Sequence, residues 1–218
     1  MKTVTVSQMK QIEKNAAESG LSYTQMMENA GARAADFLLA QTPPARSAVV
    51  FAGKGNNAGD GFVAARLLKK AGCEVTVVLT DGLPQTADTC RNLEKIQAMG
   101  IPVFDFLEET AAVTAQLKNA CVAVDAIYGT GFHGALRQSM RLVTEVLNAG
   151  GRSILALDMP SGVSADTGEV SPGAVRATWT MAFDSLKPAH LLEKSIPFCG
   201  EIVPVDIGIP AECHEILE

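Results

Sequence analysis

Short continuous runs of apolar residues alternate along the chain with longer stretches in which apolar residues recur at helical spacing. The runs are typical of buried strands, and the longer stretches are typical of amphipathic helices. The pattern predicts an opening helix capped by Ser7 and a second helix capped by Thr24 that ends near Gln41, before two prolines. It then predicts strands at 49–51, 75–79, 101–104, 121–126, 153–157, 178–183 and 202–205, with helices at 61–71, 86–99, 108–118 and 137–148.

Buried strands that alternate with helices predict an α/β fold, with a mostly parallel sheet covered by helices on both faces. Right-handed crossovers place every strand-to-helix loop at one edge of such a sheet. Ligands bind outside this edge, near the point where the strand order reverses. We therefore expect ligand-binding and catalytic residues in the loops after Phe51, Val124 and Leu157.

Composition and charge narrow the possible partners. The 218 residues are 47% hydrophobic, which suits one domain with a sizeable core, and the net charge is −6. Lys and Arg form no basic stripe, so nucleic acid is not an expected partner. The five cysteines are widely spaced and predict reduced thiols rather than a zinc site or a disulfide framework. No apolar run is long enough for a signal core or a membrane span, so we expect a cytoplasmic protein.

The first loop is rich in glycine and reads G-K-G-N-N-A-G-D-G from Gly53 to Gly61. Its glycines allow close approach of the backbone to a ligand, and N–H groups at a helix start suit phosphate. The spacing matches neither the P-loop nor the usual dinucleotide fingerprint. Asn57 offers an amide carbonyl, and Asp60 is a candidate helix cap. The alternative is a simple Asn/Gly turn before a helix.

The second loop follows a strand that ends at Asp125, and it carries three glycines between Gly129 and Ala135. A carboxylate at the end of an apolar strand either caps a loop or holds a cation, because an unpaired buried charge is costly. His133 in this loop is a candidate ligand contact or base, or a solvated side chain.

The third loop reads L-D-M-P-S-G from Leu157 to Gly162. Asp158 again ends an apolar strand, and Ser161 offers a hydroxyl on a rigid turn. Two aspartates beside an Asn carbonyl and a Ser oxygen form an oxygen-rich set, which hard cations prefer. An alkali or alkaline-earth ion is expected here rather than zinc.

Five segments together resemble the YjeF N-terminal domain family, whose enzymes are NAD(P)H-hydrate epimerases. The segments occur in order along nearly the whole chain, so the set is specific although each alone is weak. They are M-E-N-A-G at 27–31, G-N-N-A-G-D-G at 55–61, D-A-I-Y-G-T-G at 125–131, D-M-P-S-G at 158–162 and L-K-P-A-H-L-L at 186–192.

The resemblance implies a three-layer αβα, Rossmann-like fold in a single domain over 1–218, commonly dimeric. It implies interconversion of the R and S forms of NADHX and NADPHX, cofactors hydrated at nicotinamide C6. It also implies one potassium ion per subunit, held by Asn57, Asp125 and Ser161. The implied substrate contacts are Asn56, Asn57, Ala58, Gly59, Asp60, Gly129, Thr130, Gly131, Phe132, His133, Gly134, Ala135 and Asp158.

The hydrated ring requires a proton transfer at its hydroxyl, and Asp158 is the candidate catalytic acid or base. Many bacterial members of the family continue into a dehydratase domain, so this chain is expected to act with a separate NAD(P)HX dehydratase. His133 stands where animal relatives have Lys, which leaves its role open.

Two other functions fit parts of the pattern. A variant NAD-dependent dehydrogenase would use Asp81, after the second strand, to bind ribose, although this residue also reads as an Asp-Gly turn. A non-catalytic nucleotide- or protein-binding scaffold of the same fold is the second alternative. The retained Asn57, Asp125, Asp158 and Ser161 argue against a scaffold.

Overall fold

A computed structural model describes residues 2–217 of the chain, and its strands and longer helices follow the order that the hydrophobic pattern predicts. The elements are α1 (Val6–Glu18), α2 (Tyr23–Ala40), β1 (Ser47–Ala52), α3 (Asn56–Lys70), β2 (Glu74–Leu79), α4 (Ala87–Ala98), β3 (Val103–Asp105), α5 (Phe106–Asn119), β4 (Val122–Ala126), α6 (Gln138–Ala149), β5 (Ser153–Leu157), β6 (Trp179–Phe183), α7 (Ile196–Cys199) and β7 (Glu201–Val205). Two 3₁₀ segments lie at Pro188–His190 and Ala211–Leu217.

Within residues 2–217 the strands form one seven-stranded sheet in the order β3-β2-β1-β4-β5-β6-β7. Every pairing in it is parallel. Pro204 lies in β7 at the sheet edge, where its missing N–H costs no ladder hydrogen bond. The predicted α/β fold with a parallel sheet is confirmed.

Side chains alternate across the sheet and build a core on each face. Val50 and Ala52 of β1 join a cluster with buried residues of α1, α2, α3 and α4. Val49 and Phe51 face the opposite side, where they join buried residues of α5 and α6. Helices therefore cover both faces, which gives the three-layer αβα arrangement.

The strand order reverses between β1 and β4. The chain runs outward from β1 through β2 to β3, and then returns to pair β4 with the other side of β1. A crevice opens outside the carboxyl ends of the strands at such a reversal. The loops after β1 and β4 border this crevice, and the loop after β5 lies on the next strand.

The caps of the first two helices differ from the predicted ones. Thr5 caps α1, because its backbone is extended and its hydroxyl accepts a hydrogen bond from the Gln8 N–H; Ser7 lies inside the helix. Ser22 caps α2 in the same way, and the hydroxyl of Thr24 instead hydrogen-bonds to Asp88. Within residues 2–217, no helix combines the length and the apolar composition that crossing a bilayer requires.

Helix α3 begins at Asn56, five residues before the predicted start at 61. Most of the glycine-rich segment is therefore the first turns of a helix rather than a loop. Small residues let α3 pack closely on α2: a Cβ at Gly59 would lie 2.4 Å from Met27 Cε. The other boundaries agree with the predicted ones to within one or two residues.

Candidate functional site

A cavity of about 460 Å³ opens at the carboxyl edge of the sheet. Its volume lies in the range of small-molecule sites. Helices α1 and α2 form one wall, and the ends of β1, β4 and β5 with their loops form the other. The polar groups on its surface include Lys10, Glu13, Lys54, Asn56, Asn57, Asp60, Thr130, Asp158 and Lys187.

Two glycines bring the start of α3 against the end of β4. A Cβ at Gly53 would lie 2.2 Å from the Ile127 carbonyl oxygen, and one at Gly61 would lie 2.6 Å from the Ala126 Cβ. Real side-chain contacts are never that short, so both positions require glycine for packing. Gly55 has no atom within 4 Å of such a Cβ and is the position open to a ligand. Two of the four glycines in the segment 53–61 thus allow it to pack closely on the end of β4.

Asn57 lies in the first turn of α3 with a buried amide. Neither its Oδ1 nor its Nδ2 has a hydrogen-bond partner within residues 2–217. Leaving a buried polar group unsatisfied costs about 1–3 kcal/mol, and most such groups in native proteins are paired. Because Asn57 lines the cavity, its amide is positioned to bind a ligand or an ion.

Asp125 is completely buried at the end of β4 and ties together the loops after β4 and β5. Its carboxylate accepts hydrogen bonds from the Ser161 hydroxyl at 2.6 Å, the Ser161 N–H at 2.8 Å and the Ile127 N–H at 3.2 Å. The Ser161 Oγ in turn accepts from the Tyr128 N–H at 2.9 Å. Burial raises the pKa of Asp125 to about 6 despite these bonds, because none of the bonds brings a positive charge.

Gly129 connects Asn57 with Asp158. A Cβ at Gly129 would lie 3.3 Å from Asn57 Cγ and 3.4 Å from Asp158 Oδ2. Both side chains therefore lie close to the Cα of Gly129, one from the β1–α3 segment and one from the end of β5. The three loops that the sequence singled out converge at this point.

Asp158 has an unusual backbone and a buried cationic partner. Its φ of 66° lies in the left-handed region, which few residues other than glycine adopt. Its Oδ1 lies 2.7 Å from Lys187 Nζ, and its Oδ2 accepts from the Thr130 N–H at 3.3 Å. The Lys187 side chain is 1% exposed and also donates to the Phe183 carbonyl at 2.9 Å. A strained residue held by a buried ion pair is a common feature of functional sites.

His190 holds Asp158 and Lys187 through their backbones. Its Nδ1 lies 3.1 Å from the Lys187 N–H, and its Nε2 lies 2.9 Å from the Asp158 carbonyl oxygen. The first partner is only a donor and the second only an acceptor, so the ring is neutral with its proton on Nε2. Burial lowers the pKa of His190, consistent with this neutral form.

Two further carboxyl groups, Glu13 and Asp60, line the same cavity. Burial and the nearby Asp158 raise the pKa of Glu13 to about 7, although Lys187 opposes the shift. Burial, followed by Asp158 and Glu13, raises the pKa of Asp60 well above its ordinary value. Glu13, Asp60 and Asp158 thus line one cavity together with Lys187.

The predicted site residues take different positions around this cavity. Asn56, Asn57, Asp60, Gly129, Thr130, Gly131, Phe132 and Asp158 line it, whereas Ala58 and Gly59 are buried beneath its surface. His133, Gly134 and Ala135 are exposed outside the lining, and the His133 ring lies within hydrogen-bond distance of the Gly131 carbonyl, 3.2 Å away. Asp125 and Ser161 are buried behind the cavity.

Asp81 does more than form an Asp-Gly turn. Its carboxylate lies 2.6 Å from Arg137 and 3.6 Å from Lys54 at the rim of the cavity. The acid that a dehydrogenase would offer to ribose is therefore already paired with two cations.

Sequence reasoning missed Lys187, His190 and Glu13 as parts of the site. Lys187 and His190 lie in a short segment without periodicity, and a lysine is normally read as exposed. Their flanking apolar residues and their place in the family segment at 186–192 were the available signals. Glu13 directly follows the buried Ile12 and lies four residues after the buried Met9. A carboxylate beside the buried stripe of a helix was therefore a usable clue.

Comparisons with known proteins show which family this chain is similar to. The family described as "YjeF-related protein N-terminus" matches residues 23–189. A protein of Pirellula staleyi named "NAD(P)H-hydrate epimerase" is 38% identical over 93% of this chain and 90% of its own length. An Elusimicrobium minutum protein of the same name is 30% identical over 97% of this chain and 98% of its own.

Longer relatives and a solved structure extend the comparison. A Coxiella burnetii protein named "Bifunctional NAD(P)H-hydrate repair enzyme Nnr" is 35% identical over 93% of this chain, which spans only 40% of that relative. A crystal structure of the yeast protein YNL200c superimposes with a TM-score of 0.78 at 26% identity, covering 89% of this chain and 86% of the yeast chain. The matches confirm the resemblance found in the sequence: the chain belongs to the family of YjeF-related protein N-termini.

Proposed function

We propose that this chain is an NAD(P)H-hydrate epimerase that interconverts the R and S forms of NADHX and NADPHX. The observation that carries the proposal is Asp158, strained and ion-paired with a buried lysine at the surface of a 460 Å³ cavity. Relatives of nearly the same length bear the name of this activity, which supports the assignment.

The reaction inverts one carbon. C6 of the hydrated nicotinamide carries a hydroxyl next to the ring nitrogen, so its configuration is lost if hydroxide leaves or if the ring opens. Both routes need a proton transfer at the hydroxyl oxygen, and a positioned acid or base contributes about 100- to 10,000-fold. Asp158 faces the cavity and is the group we assign to this transfer. Lys187 and His190 fix its carboxylate and its backbone.

The donor set also fits a potassium ion. Within residues 2–217, Asn57 Oδ1 is a buried oxygen without a hydrogen-bond partner, and the groups that hydrogen-bond to the buried Asp125 carboxylate are all uncharged. The Ser161 oxygen completes a set of hard donors in the loops that meet at Gly129. When bound, the ion would supply positive charge for these oxygens and for substrate phosphates. Asn57, Asp125 and Ser161 would hold it.

The remaining expectations belong to the same proposal. The first turn of α3 presents N–H groups that suit a phosphate of the dinucleotide. Repair of the cofactor would need a dehydratase, and the bifunctional names of longer relatives favour that coupling. A homodimer, which the resemblance implies, and a cytoplasmic location, which the sequence pattern led us to expect, remain predictions.

A coupled assay tests the proposed function. A mixture rich in the R hydrate is given to an S-specific dehydratase with its nucleotide, and recovery of NADH is followed. Addition of this protein should turn partial recovery into complete recovery. Asp158→Asn should fold and bind NADP but lose at least about 100-fold in rate. Unchanged turnover of this variant would remove Asp158 from the mechanism, and partial recovery with the wild type would refute the function.

A further inference from the structure

Glu13 is the carboxyl group on the helical wall of the cavity. Helix α1 contributes Val6, Met9, Lys10 and Glu13 to this wall, whereas Asp158 comes from the end of β5. The two acids therefore reach the cavity from different layers of the fold. Of the charged groups around Glu13, Asp158 has the largest effect on the pKa of Glu13, which it raises.

Inversion of a carbon through a planar state requires proton transfer on both faces of the ring, which one acid cannot provide. The oxygen must leave from one face of the ring and return from the other. A group that donates a proton on the first face is badly placed to accept one on the second. Two titratable groups, one for each face, are the simplest arrangement, and they must share one proton between them.

We infer that Glu13 is the second catalytic residue of the proposed epimerase and works with Asp158 across the ring. This inference rests on the proposed function. In one direction the ring nitrogen's electron pair expels the C6 hydroxyl, and the proton from Glu13 makes the leaving group water. A planar iminium remains. A water molecule then forms the new C6–O bond on the opposite face and gives its proton to Asp158. The reverse direction exchanges the two roles, and solvent restores the original protonation.

The charges around the cavity favour a single proton that moves between Glu13 and Asp158. Asp158 is in contact with Lys187 and acts first as a carboxylate, whereas Glu13 has a pKa of about 7 and retains a proton near neutrality. The charged groups that face Glu13 are Lys10 on α1, Asp60 on α3, Asp158 and Lys187 at the site, and Asp184, which pairs with His214 of the last segment.

The test compares Glu13→Gln with Glu18→Gln, a substitution at an exposed position of the same helix. Glutamine keeps the shape of Glu13 but transfers no proton, so we expect a loss of about 100-fold or more in kcat with little change in KM. Glu13→Asp should retain part of the activity. In the wild type, kcat/KM should fall as the pH rises through about 7, because the shared proton is lost, and Glu13→Gln should lack this fall. Glu18→Gln should behave as the wild type does.

Incorporation of labelled oxygen from the solvent provides a second test. In heavy-oxygen water, each inversion should insert one solvent oxygen at C6. Inversion without label would overturn the inference, because it would mean that the original oxygen is retained by ring opening. Wild-type rate in folded Glu13→Gln, or a larger loss in Asp60→Asn than in Glu13→Gln, would overturn it as well. In these cases the wild type still epimerises, so the proposed function survives. A wild type that does not epimerise would instead refute the function itself.

Discussion

The ion pair between Lys187 and Asp158 gives a prediction for stability that is independent of any substrate. Its two side chains are 1% and 14% exposed, and the charged atoms lie 2.7 Å apart. With an effective dielectric constant of about 20, this distance corresponds to an attraction of about 6 kcal/mol, much of which offsets the cost of removing both charges from water.

Substitution of one partner leaves the other charge buried and unpaired. Lys187→Met and Asp158→Asn should each lower the free energy of unfolding by about 3–5 kcal/mol. The double variant buries neither charge, so it should lose less than the sum of the two by about 2–3 kcal/mol. Urea unfolding at neutral pH gives the free energy of unfolding of the wild type, the two single variants and the double variant.

A surface pair on α1 serves as the matched control. Lys14 and Glu18 lie 3.8 Å apart with side chains 60% and 66% exposed. Their double-mutant cycle should give a coupling below about 1 kcal/mol. The reasoning is refuted if the Lys187–Asp158 cycle is additive to within about 0.5 kcal/mol, because the two groups would then stabilise the fold independently.

Three further predictions concern the ion, the histidine and the glycine contact. Potassium at about 100 times its dissociation constant should stabilise the fold by about 2.7 kcal/mol, which is a rise of about 5–10 °C in Tm; an equal rise in Asn57→Ala would contradict the assignment. His190→Leu should cost about 2–5 kcal/mol in urea unfolding because two backbone groups lose their partner, whereas His190→Gln should restore part of this, and equal losses would argue against the two hydrogen bonds. Gly53→Ala should cost about 3 kcal/mol because its Cβ would overlap the Ile127 carbonyl, while Gly55→Ala should cost about 1 kcal/mol or less.

The fold was predictable because its signal is spread over many residues. Each buried strand is a continuous apolar run, and each helix between strands carries its own periodic face, so single ambiguous positions matter little. Helix caps depend on one hydroxyl and one backbone conformation. The pattern therefore predicts Ser7 and Thr24 as caps, whereas Thr5 and Ser22 cap the helices.

The site was predictable only where its residues follow strands. Asp158 terminates an apolar run, and parallel topology places the ends of all such runs at one edge. Lys187 and His190 reach the site from a segment without a repeating pattern, and only the tertiary structure buries them. A sequence signal can also have a different cause from the one expected. The position of Gly53 in a glycine-rich loop predicts contact with a ligand, but in the structure the absence of a side chain there allows close packing on Ile127.

The most direct measurement starts from one purified epimer of NADHX and follows the appearance of the other by chromatography, with potassium present. The wild-type protein should bring the two epimers to equilibrium far faster than buffer does, and Asp158→Asn should slow this by about 100-fold or more. Interconversion at the spontaneous rate in the presence of folded wild-type protein would contradict the account that the cavity and Asp158 serve epimerisation.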